Sequence, residues 1–446
     1  MSSEELTKES IIRTVKEQNV KFIEMQFSDI LGAVKSVALP TSNIEKALDE
    51  GMFIDGSSIL GYATIEESDM RAQPILSSFQ IYPWTCNGGI RTARLLCQIY
   101  DHSGYRFKGD PRWVLEKMVI KAKDKGYDVN LGPEFEFFLF NLDSRGNPIA
   151  VPADSAGYFD LMALDKGEEV RKHIMLNLDV MGFDCEASHH EVAPGQHEVD
   201  MRYNDALTVA DRLMTFKLAV KTIALQHGLY ASFMPKPMYK MAGSGMHVHQ
   251  SLSGPRGNAF DDPSGKFGLS DVAMKYLGGL LAHSKETCAV INSHVNSFKR
   301  LVPGYEAPCY ISWANMNRSA LIRVPAGRGS KARVELRNPD PAGNPYLQFA
   351  MMIASGLNGI EKGTYPPDPV EKDIYHMSKE ERRRNKIDSL PENLGQALEI
   401  MSGSDLVRRT LGDHIFEHYL KIKGDEWDEY RTCVTDWEVQ RYLSQL

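Results

Sequence analysis

Residues 132–140 read GPEFEFFLF, an apolar and aromatic run broken only by Glu134 and Glu136. That density of β-favouring residues predicts a buried strand, and strand side chains alternate, so both acids leave the strand on the same side. Acids enter such a run almost only when they are paired or bound to a metal. The chain must therefore build a sheet with one inner face that accommodates negative charge.

Three further stretches repeat the device. EASHHEVAPGQHEVD at 186–200 carries a Pro194-Gly195 turn, with Glu191 three residues before it and Glu198 three after. A tight hairpin over that turn sets the two carboxylates opposite each other. Pro-Gly favours a type II turn, which splays strands, so looser pairing is the expected departure. GSGMHVHQSL at 243–252 places His247, His249 and Ser251 on one strand face, and SKARVELRN at 330–338 does the same for Lys331, Arg333, Glu335 and Arg337. One acidic turn or one charged strand is as often a solvated surface as a site. Four such pieces in one chain point to a single sheet whose concave face is lined with carboxylates, an imidazole and arginines.

The inventory selects the metal. Glu134, Glu136, Glu191, Glu198, Glu335 and His247 form a hard, oxygen-rich set suited to Mg²⁺ or Mn²⁺ rather than to a closed zinc site. They exceed what one small ion takes from protein, so two or more ions are implied. Arginines beside them suit phosphate or carboxylate groups through the guanidinium fork. The residues alone thus describe a metal-dependent enzyme handling phosphates and an anionic substrate.

The rest of the chain sets the frame. Its 446 residues allow two or three domains. A net charge of −8 argues against nucleic acid as the main partner. The N-terminus has no apolar secretory core, and the most apolar stretch, 347–360, is short and interrupted by Gln348, Gly356, Asn358 and Gly359. No membrane span and a cytoplasmic location are expected. The six cysteines lack CxxC spacing and read as buried thiols.

In order, a helix capped by Ser2-Ser3-Glu4-Glu5 runs to about Glu17. Strands are expected at 20–27, 34–39, 79–84 and 93–100, with a helix at 43–50 and a polar loop at 55–58. This makes a small N-terminal domain, 1–104, followed by a catalytic domain, 105–446. Asp110 caps a helix with Pro111 in first position, and further helices are expected at 168–181 and 206–226. Residues 378–385 read as a solvated charged face. The aromatic stripe of Trp427, Tyr430, Val434, Trp437 and Tyr442 reads as packing, on this chain or another subunit. The fold class is α+β.

Taken together, DGSS at 55–58, PEFEFFLF at 133–140, EASHHEVAPGQHE at 186–198, GSGMH at 243–247, KRLVPGYEAP at 299–308, NRSALIRVP at 317–325 and VELRNPDPAGNPY at 334–346 resemble the type I glutamine synthetases, alpha subtype. The resemblance spans nearly the whole chain in order. It implies a β-grasp-like N-terminal domain and a larger catalytic domain with a curved antiparallel sheet flanked by helices. It also implies a dodecamer of two hexameric rings with active sites between subunits, each holding two to three divalent ions. The implied reaction joins ammonium to L-glutamate at the expense of ATP, through γ-glutamyl phosphate. One metal would lie among Glu136, Glu191 and Glu198, and the other among Glu134, His247 and Glu335. Gly243, Arg300, Glu306, Arg318 and Arg337 would hold glutamate. Glu186, His249, Ser251, Arg318 and Arg323, with Lys331 and Arg333, would hold the nucleotide. Asp55 would reach into a neighbour's site for ammonium, and Glu306 would cover the glutamate.

Three positions depart from the family pattern. Ala242 stands where an asparagine is usual, Thr64 where an arginine linked to glutamine feedback is common, and the residues after Tyr375 differ from the beta-subtype adenylylation pattern. A small effector or regulatory protein remains compatible with the resemblance. The rival readings are a γ-glutamyl ligase using an amine or polyamine, a catalytically silent ring protein, and a simple phosphohydrolase.

Overall fold

The computed structural model describes residues 6–62, 68–86, 88–315 and 317–446. The expected cap at 2–5 and the departure at Thr64 lie outside them. The first helix, Lys8–Glu17, begins instead at Thr7, which forms a capping box with Ser10. It buries Ile11 and Val15 on a mixed sheet. Across that sheet the order is Val34–Pro40, Phe22–Ser28, Thr92–Tyr100, Asp69–Pro74 and Met52–Asp55, with Gln80–Ile81 added on Thr92–Tyr100. The Phe22–Ser28 and Thr92–Tyr100 pair is parallel and its neighbours are antiparallel. Two expectations change here. The strand expected at 79–84 shrinks to Gln80–Ile81, because Pro83 offers no N–H and opens a 3-10 turn. The loop expected at 55–58 is a strand end plus the 3-10 turn Gly56–Ser58.

The larger sheet carries the functional residues. Its path runs Trp313–Ala314, Ile322–Arg323, Val334–Leu336, Met246–Gly254, Asp128–Leu142, Gln196–Met201 and Cys185–His190. Every pair along this path is antiparallel except the first. Helix Pro111–Asp124, capped by Asp110, and helices Glu168–Val180 and Ala206–Gln226 contribute Val114, Ile174, Leu213 and Phe216 to the core that also buries Phe135 and Phe137. The N-terminal sheet buries its own cluster around Ile23, Met25, Leu95 and Ile99. Helices Asp271–Ala282 and Pro345–Lys362 cross at glycines: a Cβ on Gly359 would lie 2.6 Å from Gly279 Cα. Only glycine permits that approach.

The strand expected at 330–338 is reduced to Val334–Leu336. Before it, Gly329–Lys331 is a 3-10 turn with Gly329 at φ +65°. Asn258 Nδ2 donates to the carbonyls of Gly329, Ser330 and Ala332, which holds those residues out of the ladder. The charge run forms helix Lys379–Arg384, in which no residue is buried. The aromatic stripe divides. Trp427 packs on the core, whereas Val434, Trp437 and Tyr442 are exposed. The cysteines divide as well. All are free, but Cys433 is exposed and Cys86 and Cys185 are only half-buried, which corrects the buried reading for these three. No described helix is long and apolar enough to cross a membrane.

Candidate active site

Register decides which side chains meet. Asp128–Leu142 lies between Met246–Gly254 and Gln196–Met201, so Glu134 stands opposite His247 on one side and Asp200 on the other. Glu136 is opposite Glu198, which is opposite His189, and Glu335 is opposite Arg323. Alternation turns all of these into one cleft of about 510 Å³. The hairpin departs from the tight one expected. Its ladder begins at His190–His197, and Gly195 closes the loop at φ +67°. Glu191 therefore lies beyond the last rung instead of facing Glu198. His189 sits between them, with Nδ1 3.6 Å from Glu191 Oε1 and Nε2 3.4 Å from Glu198 Oε1.

The carboxylates fall into two groups. In the first, the ligand atoms of Glu134, His247 and Glu335 lie within 4.8 Å of one another. Arg337 Nε is 3.1 Å from Glu335 Oε1, and Arg323 pairs with its other oxygen. Arg333 Nε donates to His249 Nδ1 at 3.1 Å, leaving His249 Nε2 to donate to Glu134 Oε1 at 2.8 Å. Burial works against ionising Glu134, but hydrogen bonds from His247 and His249 outweigh it and hold the carboxyl well below its usual range. Glu335 is likewise held low against burial, by His249 and Arg337. Burial lowers the His247 imidazole.

The second group has no such partners in sufficient number. Burial pushes the Glu136 carboxyl up to about 7 despite Arg300. Burial and the Glu136 charge push Glu191 up to about 8 and, with Asp200, Glu198 up to about 12. Glu136 Oε2 accepts from Gln196 Nε2 at 2.7 Å and from the Gly245 N–H at 2.9 Å. A Cβ on Gly245 would come within 2.6 Å of Arg300 Nη2 and 2.9 Å of His247 Nε2, so glycine is what lets the strands' groups close on one another. Hard oxygen donors plus one imidazole, several of them protonated for lack of a counter-charge, fit Mg²⁺ or Mn²⁺.

Anion-binding groups lie on both sides. Arg300, Arg318 and Arg337 line the cleft with Gly243 and Glu306. Arg300 is buried, its Nη1 and Nη2 donating to the carbonyls of Asn338, Pro339 and Arg337 while Nε has no protein partner. Glu306 is an exposed non-glycine residue at φ +63°, a strained position of the sort found at ligand clamps. A second cavity of about 460 Å³ is lined by Glu186, His249, Ser251, Lys331 and Arg333, and it shares Glu134 and Asp200 with the first. Arg323 lines only the first. Asp55 lines neither. It is exposed, accepting from Ser57 N–H at 2.9 Å and from the hydroxyls of Ser57 and Ser58.

Sequence reasoning missed His189, Asp200, Tyr158, Gln196 and Lys236. His189 and Asp200 carried a usable signal, each lying two residues from a chosen glutamate on the same strand face. Tyr158 comes from a loop without pattern and meets His189 edge-on, the centroids 5.5 Å apart. Lys236 Nζ stands 3.9 Å over the Tyr305 ring and so braces the Glu306 loop. Tyr375, half-buried, donates its hydroxyl to the Ala307 carbonyl at 2.9 Å. Ala242 lines the cleft beside Gly243.

With this geometry in hand, residues 108–442 match the family profile described as glutamine synthetase, catalytic domain, and residues 19–102 match glutamine synthetase, beta-Grasp domain. The glutamine synthetase of Clostridium saccharobutylicum is 53% identical over 98% of this chain and 99% of its own length. That of Methanosarcina mazei is 52% identical over 99% of this chain and 98% of its own length. A solved structure titled GmaS/ADP complex superposes with a TM-score of 0.88 at 32% identity, covering 97% of this chain and 99% of that one. The Plasmodium falciparum glutamine synthetase, at 24% identity, TM-score 0.87 and 99% coverage of both chains, shares the fold.

Proposed function

Since the chain belongs to the glutamine synthetase family and joins ammonia to L-glutamate with ATP to give L-glutamine, ADP and phosphate, we propose that its two cavities divide that reaction between them. The observation that carries this reading is their shared wall. Glu134 and Asp200 separate a cavity lined by His249, Ser251, Lys331 and Arg333 from one lined by Arg300, Arg318, Arg337 and Glu306. ATP enters the first and presents its terminal phosphate at the wall. Glutamate enters the second, its carboxylates held by the guanidinium groups and the Gly243 backbone.

Glu134, His247 and Glu335 would hold one divalent ion, and Glu136, Glu191 and Glu198 another, with Mg²⁺ or Mn²⁺ as the candidates and two to three ions per site. Bound there, such ions neutralise phosphate oxygens and offset the carboxylate repulsion. The chain's own groups do the rest. Glu186 and Arg323 complete the nucleotide contacts. Arg337 and Arg318 stabilise charge as the γ-phosphoryl group moves to the glutamate side chain. Glu306 closes over the acyl phosphate and excludes water. Ammonium must lose a proton to attack, and Asp55 of an adjacent subunit with Glu306 attracts the cation and takes that proton. The exposure of Asp55 and its absence from its own chain's cleft support its service to a neighbour, in a cytoplasmic dodecamer of two hexameric rings.

We divide the chain at 104/105, near where the N-terminal core ends at Phe107 and before helix Pro111–Asp124 opens the next domain. Phosphate release from ATP, measured with and without glutamate and ammonium and across amine acceptors, tests the whole. Release that requires both glutamate and ammonium is expected. Release from ATP alone, or a preference for a larger amine, would overturn this reading.

A further inference from the structure

Behind the metal hairpin, on the face turned from the cleft, His190 and His197 enter a buried cluster with Asp154, Asp165 and Arg171. The histidine and aspartate ligand atoms lie within 4.8 Å of one another, the spacing of an ion site. A cation already occupies that role. Arg171 Nη2 is 2.7 Å from Asp165 Oδ2, and its Nη1 is 2.7 Å from His197 Nδ1. A guanidinium only donates, so His197 must accept there and that nitrogen is unavailable to a metal.

Asp154 is the hub. Its Oδ1 accepts from the Gly195 N–H at 2.8 Å, His190 Nε2 at 3.0 Å and the Ala156 N–H at 3.3 Å, and its Oδ2 accepts from the Lys166 N–H at 3.2 Å. His190 Nδ1 faces the Glu191 carbonyl at 2.7 Å. Both ring nitrogens meet acceptors, so the ring is held at both ends. Both side chains are wholly buried. One carboxylate thus ties together the turn glycine, the strand end before Glu191 and the loop that brings Tyr158 to the cleft.

We propose that Asp154 and His190 are positioning residues for the metal hairpin, fixing the backbone at Glu191 and Gly195 so that Glu191 and Glu198 are presented together. The inference rests on reading Glu136, Glu191 and Glu198 as metal ligands. Arg171 and Asp165 brace the same cluster from the helix side.

The test is Mn²⁺ binding to the metal-free full-length protein, followed by electron paramagnetic resonance of the free ion. Glu191→Gln is expected to remove one class of site. His190→Gln and Asp154→Asn should weaken that same class by about tenfold or more, and leave the other unchanged. The metal concentration for half-maximal activity should rise in proportion, while kcat at saturating metal falls much less. Leu178→Ala, which removes a buried side chain of helix Glu168–Val180, controls for lost stability and should bind Mn²⁺ normally. Wild-type Mn²⁺ binding in folded His190→Gln and Asp154→Asn, or equal weakening in Leu178→Ala, would overturn the proposal. If Glu191→Gln itself changes nothing, the ligand reading fails instead. Should His190→Gln not fold, Asp154→Asn decides, because asparagine keeps an acceptor for the Gly195 N–H.

Discussion

The two carboxylate groups of the cleft differ in where their counter-charge comes from. Around Glu134 and Glu335 the protein supplies partners in advance, hydrogen bonds from His247 and His249 to Glu134 and the charges of Arg323 and Arg337 to Glu335. Around Glu136, Glu191 and Glu198 it does not, and three carboxyls are pushed up to about 7, 8 and 12. The lesson is that similar residues on adjacent strands meet opposite surroundings within one protein. One group is a finished network of hydrogen bonds and ion pairs. The other is a strained pocket of facing buried carboxyls, whose repulsion a cation would relieve.

The sharpest way to break that contrast is to neutralise one acid in each group. Glu335→Gln and Glu198→Gln should both reduce activity by about 100-fold or more, as loss of a transition-state stabilising group does. Their stabilities should diverge. Glu335→Gln leaves Arg323 and Arg337 without their partner and should lose about 3 kcal/mol in metal-free denaturant unfolding. Glu198→Gln replaces a carboxyl that burial and Glu136 already hold protonated with a neutral amide of similar shape, and should lose nothing, or gain. Equal destabilisation by both would mean that the two groups are alike.

Next in size is the arginine that joins the halves. Arg337 Nε holds Glu335, and its Nη1 donates to the Arg318 carbonyl. Lysine keeps the charge but not the fork. Arg337→Lys should therefore lose activity by about 100-fold while its unfolding curve moves less than that of Glu335→Gln. Turnover near wild type would show that charge alone suffices there.

A smaller effect, in pH, separates the groups without mutation. The folded carboxyls of Glu136 and Glu191 titrate at about 7 and 8, against an unfolded value near 4.3. Between those limits the folded chain binds more protons than the unfolded one, so metal-free stability falls as pH rises from about 5 to 8. Mg²⁺ or Mn²⁺ competes with those protons and should flatten the fall. Melting curves in chelator and in metal, across that range, check it. A metal-free curve that stays level would remove the strained pocket.

Much of this was legible in the sequence because strand alternation is a local rule. The period-two acids of 132–140 and the histidines of 246–254 needed only a strand to share a face. Register was not local. Whether Glu191 faced Glu198 depended on where the ladder began, and the loop closed by Gly195 shifts that register by two residues, so that His189 faces Glu198. The Lys331–Arg337 run failed for a related reason: an asparagine seventy residues away, Asn258, holds its first half as a loop. Tyr158 reaches the cleft, and Lys236 reaches Tyr305 in its wall, through tertiary contacts alone, and nothing near them in the chain announces it.

The smallest expected effect concerns what neither carboxylate group contains. Asp55 ends an exposed strand with its carboxylate held by Ser57 and Ser58, bonds that lower its pKa. It is poised as an anion yet lines neither cavity of the site in its own chain. If it completes a neighbour's site, Asp55→Asn and Glu335→Ala subunits should each be inactive as pure assemblies but complement when mixed. In a ring, a site that takes Asp55 from one subunit and Glu335 from the next is intact only where the two mutants adjoin in the right order. Random co-assembly then restores about a quarter of the sites, because a head-to-tail interface counts order as well as identity. Recovered activity per verified mixed ring is the measurement. No recovery in verified mixed rings would mean that each active site is built from one chain, and the assignment of Asp55 to a neighbour's site would have to go.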